Sequence, residues 1–246
     1  MSNDDMSTQQ QFRLLTLAEP HDCSYLPNLK ANSIFLDSQQ PPSWKQYSEL
    51  SRMGFRRSGS HYYRPNCPSC NACMSSRIIA NELNFKSKSF KRLIQKAGNL
   101  VAALEKPIFS SSHYDIYEKY IQIRHKDGDM FPPSIEQYRN FLLQQTEFSF
   151  LFTLRTESGQ LVSCTVIDVL DDGLSAIYTY FDPDFSHLSP GTLAILMLTQ
   201  YAIERELPYV YLGYWIKNSQ KMSYKQRFKP LEVFNGEFWQ PLTDEG

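Results

Sequence analysis

Three strand-like segments in the second half of the chain constrain its fold most, because short turns connect them and a long apolar segment follows. The segments are residues 148–155, 161–170 and 175–181. Gly159 and Gly173 lie in the two turns between them, as expected of antiparallel hairpins. Residues 191–205 are apolar enough for a buried helix, and residues 209–213 resume the strand pattern. The second half therefore predicts an antiparallel sheet packed against helices, which is an α+β fold.

Earlier segments add helices to this sheet. Residues 113–125 and 134–145 have helical spacing. Apolar residues at 90, 93, 94, 97 and 101 predict a further helix, and Lys91 and Arg92 on its other side suit a phosphate backbone. The charge pattern changes near residue 107. We therefore divide the chain into a disordered tail (1–11), an N-terminal cysteine-containing basic module (12–106) and a C-terminal module (107–246).

Charge is unevenly distributed along the 246 residues, although the formal net charge is only −1. Residues 45–106 hold twelve Lys or Arg and three Glu, which gives a net charge of +9. Residues 217–229 hold five basic residues and no acidic one, which gives +5. Basic residues solvate helix surfaces in many proteins, but two such segments against an acidic remainder favour an anionic partner, tRNA included.

The chain has no signal of a membrane or secreted protein. No apolar run reaches the roughly 18 residues of a membrane helix, and the first 11 residues are polar. Five cysteines, three of them in one short stretch, suit a reduced compartment. We expect a cytoplasmic protein without a membrane or DNA partner.

Cys67, Cys70 and Cys73 form the densest motif of the chain, at steps of three residues. Three thiolates with this spacing on a loop can converge on one tetrahedral metal ion, and Cys23 is the natural fourth ligand. Four thiolates serve zinc or an iron–sulfur cluster. A set of reduced cysteines without any metal is the alternative.

The segment before this loop combines planar cations with aromatic rings. Arg56, Arg57, Tyr63 and Arg64 lie within nine residues of sequence. An arginine fork suits carboxylate and phosphate alike, and a tyrosine can stack on a base or line a pocket. The composition predicts anion binding without identifying the anion.

The second half offers candidates for chemistry and for nucleic-acid contact. Tyr180 and Asp182 end the third strand-like segment, where a carboxylate can act as a base or hold an amine. The N–H groups of Gly191 and Thr192, at the start of the next helix, favour a phosphate or a carboxylate. Beyond the following strand, basic and aromatic residues interleave as in surfaces that follow one nucleic-acid strand: Lys221, Tyr224, Lys225 and Arg227.

These motifs, in this order, resemble the bacterial branch of the arginyl-tRNA–protein transferase family. The segments that carry the resemblance are 23–27, 54–59, 63–65, 67–73, 180–185, 189–192 and 214–225. The resemblance implies two acetyltransferase-like (GNAT-type) modules packed together, the N-terminal one carrying the cysteine-rich, metal-type loop. It also implies transfer of leucine from Leu-tRNA to the N-terminal α-amine of proteins beginning with Asp or Glu, which marks them for degradation by the N-end rule pathway.

The resemblance gives the candidate residues their expected roles. A carboxylate at the acceptor N-terminus suits a bidentate cation, and the residues expected to bind it are Arg56, Arg57, Arg64 and Tyr63. An aminoacyl ester is already activated, so Asp182 and Tyr180 need only assist the attacking amine. The tRNA contacts are expected at Gly191, Thr192, Lys221, Tyr224, Lys225, Arg227, Lys91 and Arg92.

Two other functions stay open on the sequence alone. A GNAT-type acyl-CoA N-acyltransferase would share the topology of the second half, but the Arg-x-x-Gly-x-Gly pyrophosphate loop is missing, so coenzyme A is not expected. A zinc-containing RNA-binding protein would use the cysteine loop and the basic segments without catalysing a reaction.

Overall fold

The computed structural model describes residues 12–16, 19–37, 39, 41–217 and 219–243, which form helices and strands. The tail predicted for residues 1–11 lies outside these residues. The α-helices are α1 (Trp44–Arg52), α2 (Lys88–Ala97), α3 (Ser111–Arg124), α4 (Ile135–Leu142) and α5 (Pro190–Glu204). The strands are β1 (Leu14–Thr16), β2 (His21–Asp22), β3 (Lys30–Ala31), β4 (Ser33–Leu36), β5 (Arg56–Ser58), β6 (His61–Pro65), β7 (Met74–Ile79), β8 (Val101–Glu105), β9 (Ser149–Arg155), β10 (Leu161–Val169), β11 (Gly173–Phe181), β12 (Tyr209–Trp215), β13 (Leu231–Phe234) and β14 (Trp239–Pro241). Short 3-10 helices span Ala80–Glu82, Pro183–Leu188 and Gln220–Arg227.

The elements predicted for the second half are present. The three strand-like segments form β9, β10 and β11, which pair antiparallel in that order. The predicted helices correspond to α3, α4 and α5, and the strand after α5 is β12. These elements confirm the α+β class. None of the helices in the described residues combines the length and the apolar character that crossing a bilayer requires.

Eight strands form the central sheet, here called the main sheet, in the order β14-β13-β7-β12-β11-β10-β9-β8. A smaller sheet has the order β1-β4-β6-β5, and β2 pairs with β3. Both β7 and β8 come from the first 106 residues but lie in the main sheet, with β7 between β12 and β13. The predicted division at residue 106 therefore does not separate one sheet from another.

The basic helix α2 is shorter than predicted. It ends at Ala97, and Gly98 has φ of 60°, a left-handed conformation that favours glycine and ends a helix. Val101, predicted as the last apolar residue of this helix, instead begins β8 at the edge of the main sheet. Val101 is 55% exposed there, so its helical spacing from Ala97 does not reflect a shared buried face.

Helices cover both faces of the main sheet. On one face, α2 and α5 pack in an apolar cluster that includes Phe152 of β9. On the other face, α3 and α4 pack in a tyrosine-rich cluster that includes Leu151. These adjacent residues point to opposite faces of the strand, as the pleat requires. Tyr47 and Leu50 of α1 belong to a third cluster, which joins the small sheet to the main sheet.

The main sheet opens between β11 and β12. These strands are parallel and pair only over residues 173–175 and 209–211. Beyond this short ladder, β11 continues to Phe181 and β12 to Trp215. The register of β12 against β7 shifts between Tyr211 and Gly213, and Gly213 has φ of 77°. Strands that diverge in this way leave backbone groups on their facing edges for a ligand.

Candidate active site

Two further elements border the opening between β11 and β12. On α3, Tyr120 contacts Phe181 at the end of β11 edge-on, with ring centroids 4.8 Å apart. On the 3-10 helix Gln220–Arg227, Tyr224 lies near Tyr120. Burial, and then the electrostatic effect of Tyr120, raises the pKa of Tyr224 to about 12. This 3-10 helix also packs against β12. We call the space bounded by β11, β12, α3 and this 3-10 helix the cleft.

Arg56 lies where the cleft begins and has no carboxylate partner among the described residues. It is only 4% exposed. Its Nη1 donates to Ser175 Oγ at 3.4 Å, on the last residue that β11 pairs with β12, and its Nη2 donates to the carbonyl oxygen of Ser76 at 3.2 Å. Its Nε is buried without a hydrogen-bond partner in the described part of the chain. Burial lowers the pKa of Arg56, and the groups that oppose this shift are phenols.

Lys225 is a second buried cation close to Arg56. It is 5% exposed, and its ammonium donates to the carbonyl oxygen of Tyr214. A Cβ built at Gly213 would lie in ordinary contact with Lys225 Nζ, at 3.8 Å, which places the ammonium directly beside β12. Burial, and then repulsion from Arg56, lowers the pKa of Lys225 to about 7. Lys225 therefore lies inside the protein, and not on the basic surface where the sequence predicted a tRNA contact.

Arg57 is neutralised by a carboxylate. Its Nε and Nη2 donate to the two carboxylate oxygens of Asp168, each at 2.7 Å. Its Nη1 donates to the carbonyl oxygen of Gly59 at 2.8 Å, and the side chains of Arg57 and Asp168 are both buried. Because the whole guanidinium is engaged, we correct the expected role of Arg57: it joins β5 to β10 and does not face a ligand.

A cavity of about 210 Å³ lies between the cysteine loop, β12 and the turn after β13. Arg64 lines it, and its Nη1 donates to the carbonyl oxygen of Met53 at 3.0 Å. Tyr214 lines it as well, and its hydroxyl donates to the carbonyl oxygen of Tyr63 at 3.0 Å. Among the residues expected to bind an acidic N-terminus, Arg64 faces this cavity, whereas Arg56 lies at the neighbouring cleft.

Three of the four expected metal ligands, Cys67, Cys70 and Cys73, line the same cavity. Burial, and then Cys67, Cys23 and Cys70, raise the pKa of Cys73 to about 11. The four sulfurs thus share one neighbourhood, although within the described residues no three His, Cys, Asp or Glu side chains are gathered into a metal-binding group. A thiol whose ionisation is disfavoured by burial and by neighbouring sulfurs, as that of Cys73 is, suits a cation, because the charge of the cation offsets that of a thiolate.

Asp182 follows β11 and forms an ion pair with Lys119 on α3. Lys119 Nζ lies 2.7 Å from Asp182 Oδ1 and 2.7 Å from Asp184 Oδ2. The N–H of Asp184 donates to Asp182 Oδ1 at 3.1 Å. Tyr180 is enclosed instead: it is fully buried, with its hydroxyl 2.8 Å from that of Tyr138. The two expected catalytic residues therefore differ in position: Asp182 lies just after the end of β11, whereas Tyr180 lies in the core.

The start of α5 borders a second, basic cavity of about 160 Å³. Arg92 and Lys96 of α2 line it together with Ser189 and Arg227. Lys96 Nζ donates to the carbonyl oxygen of His187 at 2.6 Å, which ties α2 to the segment before α5. Two expected tRNA contacts that are distant in sequence, Arg92 and Arg227, thus meet at the helix start.

The other expected tRNA contacts lie around this cavity and the cleft. Gly191 and Thr192 are in the first turn of α5, and nothing lies within 4 Å of a Cβ placed on Gly191. Lys91 is exposed on α2. Lys221 lies near the end of α3, since burial, Arg124 and Lys221 together lower the pKa of His125.

Sequence reasoning missed two residues of these sites. Lys119 and Lys96 belong to no motif and have no distinctive spacing. Their partners, Asp182 and the carbonyl oxygen of His187, lie 63 and 91 residues away in sequence. Only the packing of α3 and α2 against the segment 182–188 brings them together.

The fold and the sites define an α+β protein with buried cations in an open sheet and a basic cavity at a helix start. The sequence profile described as "Arginine-tRNA-protein transferase, N terminus" matches residues 21–92, and the one described as "Arginine-tRNA-protein transferase, C terminus" matches residues 112–235. The chain belongs to the arginine-tRNA–protein transferase family.

Relatives match the chain along most of its length. The protein of Marinobacter nauticus named "Aspartate/glutamate leucyltransferase" is 45% identical over 226 residues, which cover 92% of this chain and 94% of that protein. A protein of the same name from Pseudomonas fluorescens is 45% identical over 221 residues, covering 90% and 93%. The solved structure of L-PGS from Bacillus licheniformis is 12% identical with a TM-score of 0.42, covering 68% of this chain and 49% of that one.

Proposed function

We propose that this chain transfers leucine from Leu-tRNA to the N-terminal α-amine of proteins that begin with Asp or Glu, and so marks them for degradation by the N-end rule pathway. The observation that carries this proposal is the 45% identity to an aspartate/glutamate leucyltransferase over 92% of the chain. We place the reaction in the cytoplasm, which the free cysteines among the described residues support.

The reaction is the aminolysis of an ester. The lone pair of the α-amine attacks the ester carbonyl carbon and forms the C–N bond. The tetrahedral intermediate then collapses, the C–O bond to the ribose breaks, and the proton lost by the amine ends on the tRNA hydroxyl. Because the ester is already activated, the protein must orient the two substrates, keep the amine neutral and stabilise the oxyanion. No covalent intermediate with the protein is needed.

Asp182 is our candidate for the group that holds or deprotonates the amine. Its carboxylate is fixed by Lys119 and by the N–H of Asp184, so its position does not depend on the substrate. An α-amine with an ordinary pKa near 8 needs only a modest base near neutral pH. We assign Tyr180 no direct contact with substrate, because its hydroxyl is enclosed beside that of Tyr138.

The basic cavity at the start of α5 is our candidate for a tRNA phosphate. Cations from two elements converge there on a helix start, where the helix dipole favours an anion, although the N–H of Thr192 already donates to the carbonyl oxygen of Ser189. We place Lys91, Lys221 and Tyr224 along the path of the same RNA strand. Lys225 does not belong to this path, because it is buried.

Replacing both Arg92 and Arg227 by Ala should weaken the binding of Leu-tRNA and make it less dependent on salt. Each lost phosphate contact should reduce the slope of log K against log salt concentration by about 0.7–0.9. Titrations at several salt concentrations measure this slope. Lys30→Ala, which removes an exposed cation on β3, is the control and should leave the slope unchanged. An unchanged slope in the double variant would remove the cavity from the tRNA path.

We also infer a GNAT-type architecture for the C-terminal part. The order β9, β10, β11, α5, β12 supports it, as does the divergence of the parallel strands β11 and β12. The α5 start is preceded by residues 186–189 and not by the pyrophosphate loop of acetyltransferases, so we expect no coenzyme A. A second module of this type, formed around the small sheet, is part of the same proposal.

The cysteine neighbourhood is our candidate for a metal site. Cys23, Cys67, Cys70 and Cys73 would hold zinc or an iron–sulfur cluster, and the rise in the pKa of Cys73 caused by burial and by the other three sulfurs fits a bound cation. The group would link the loop after β2 to the loop before β7, because metal–sulfur bonds would join Cys23 to the other three ligands. None of the transfer steps above depends on it.

The donor is tested by offering purified protein Leu-tRNA and Arg-tRNA, each labelled in the amino acid, with a peptide that begins with Asp. We expect label from Leu-tRNA in the peptide and none from Arg-tRNA. Incorporation of arginine would keep the enzyme class and change the donor. Binding of both tRNAs without any transfer would favour the non-catalytic RNA-binding protein.

A further inference from the structure

Arg56 differs from the other buried arginines because its positive charge has no carboxylate partner among the described residues. Arg57 pairs with Asp168 at 2.7 Å, and Arg77 pairs with Glu232 at 2.7 Å. Arg56 has neither an ion pair nor a partner for Nε among the described residues. Arg56 lies over the ring of Tyr211, with the guanidinium carbon 4.9 Å from the ring centroid. Burying a cation without a counter-charge is costly, and a bound anion would offset the cost that the ring leaves.

Lys225 adds a second cation of the same kind. It is as buried as Arg56 and has no acidic partner in the described part of the chain. Its ammonium lies beside Gly213, which pairs with Ser76, the residue whose carbonyl oxygen accepts from Arg56. Its hydrogen bond goes to the neutral carbonyl oxygen of Tyr214. Two neighbouring cations that share no carboxylate form a site for an anion from outside the chain.

The position of the pair fits a ligand that enters between diverging strands. Arg56 is held by Ser175 and Ser76, at the end of the ladder between β11 and β12. The hydroxyl of Ser76 donates to the carbonyl oxygen of Gly213 at 2.8 Å, next to Tyr214. The adjacent rung, Ser75 with Tyr214, lines the cavity of about 210 Å³, and Ser75 Oγ is buried without a partner among the described residues.

We propose that Arg56 and Lys225 together bind the side-chain carboxylate of the acidic N-terminal residue of the acceptor. This inference rests on the proposed transfer to Asp and Glu. The planar fork of Arg56 can hold both carboxylate oxygens, and the ammonium of Lys225 can approach from another direction. An N-terminal Asn or Gln has nearly the same shape but leaves both cations uncompensated, so the site selects against the neutral amides.

The test compares peptides that begin with Asp and with Asn. For Arg56→Gln and Lys225→Met, kcat/KM for the Asp peptide should fall by about 100-fold or more, and the preference for Asp over Asn should largely disappear. Leu-tRNA affinity should change less than about twofold, because neither residue contacts RNA. Lys225→Arg keeps the charge and should retain part of the preference. Lys45→Met removes an exposed cation of α1 and should behave as wild type.

Two results would overturn the inference while leaving the proposed function intact. One is an unchanged preference for Asp over Asn in both variants, with wild-type melting temperature and tRNA binding. The other is a loss of tRNA affinity as large as the loss of transfer, which would make the two cations phosphate contacts. Failure of wild-type protein to transfer leucine to the Asp peptide would instead contradict the proposed function itself.

Discussion

Replacing Asp182 by Asn should lower kcat for leucine transfer by about 100-fold or more, with little change in the affinity for Leu-tRNA. The Asn side chain keeps the size of Asp182 and one oxygen for Lys119 and for the N–H of Asp184. It cannot accept a proton from the amine or hold an ammonium by charge. Single-turnover rates with pre-charged tRNA measure the chemical step separately from tRNA binding.

Asp184→Asn is the matched control for this variant. Asp184 is the other carboxylate partner of Lys119, at the same distance of 2.7 Å, but its side chain is 73% exposed and Asp182 is 9% exposed. We expect the control to stay within about threefold of wild type, because exposed ion pairs contribute little. Full turnover of Asp182→Asn would show that another group assists the amine.

Replacing Asp168 by Ala should reduce the free energy of unfolding by about 3–5 kcal/mol. The change leaves the guanidinium of Arg57 buried with no carboxylate, and it also removes the acceptor for Ser149 Oγ at 2.6 Å. Urea denaturation followed by circular dichroism measures the difference. Asp171→Ala breaks the more exposed ion pair with Arg52 and should cost no more than about 1 kcal/mol. A similar loss in both variants would contradict the structural role of Arg57.

The contact between Arg57 and Asp168 also bears on function. It fixes β5 of the small sheet against β10 of the main sheet, and Arg56 is the residue just before Arg57 in β5. Asp168 of β10 and Ser175 of β11 are paired residues, so the ion pair of Arg57 with Asp168 holds β5 where Arg56 reaches Ser175 at the adjacent position of the main sheet. The Asp168 variant should therefore also bind acidic acceptors less well, even at temperatures where it is folded.

The sequence predicted anion binding by the arginines between Gly54 and Pro65 but did not distinguish their roles. Arg56 and Arg57 are adjacent and chemically identical. The two arginines differ only in their partners, and the partner of Arg57, Asp168, lies 111 residues further along the chain. A contact over that separation depends on how β5 packs against the main sheet, which no local pattern encodes. The same reason explains why Lys119, the partner of Asp182, was missed.

Local patterns did predict the strands β9, β10 and β11 and the helix α5, because their hydrophobic spacing and glycine turns act over a few residues. These patterns failed where the same residue spacing or composition fits two different structures. Val101 continues the period of α2 but belongs to β8, since Gly98 ends the helix before it. Lys225 looks like the exposed bases around it in sequence but is buried, because the 3-10 helix turns it toward β12.

We expect this protein to add leucine to acidic N-termini, and the initial rate of leucine transfer from Leu-tRNA to three peptides that differ only in the first residue, Asp, Glu or Asn, tests this most directly. Leucine should be transferred to the Asp and Glu peptides, and the rate for the Asn peptide should be at least about 100-fold lower. Equal rates for all three peptides would contradict this expectation, because an acceptor site built on buried cations cannot ignore the charge of its ligand.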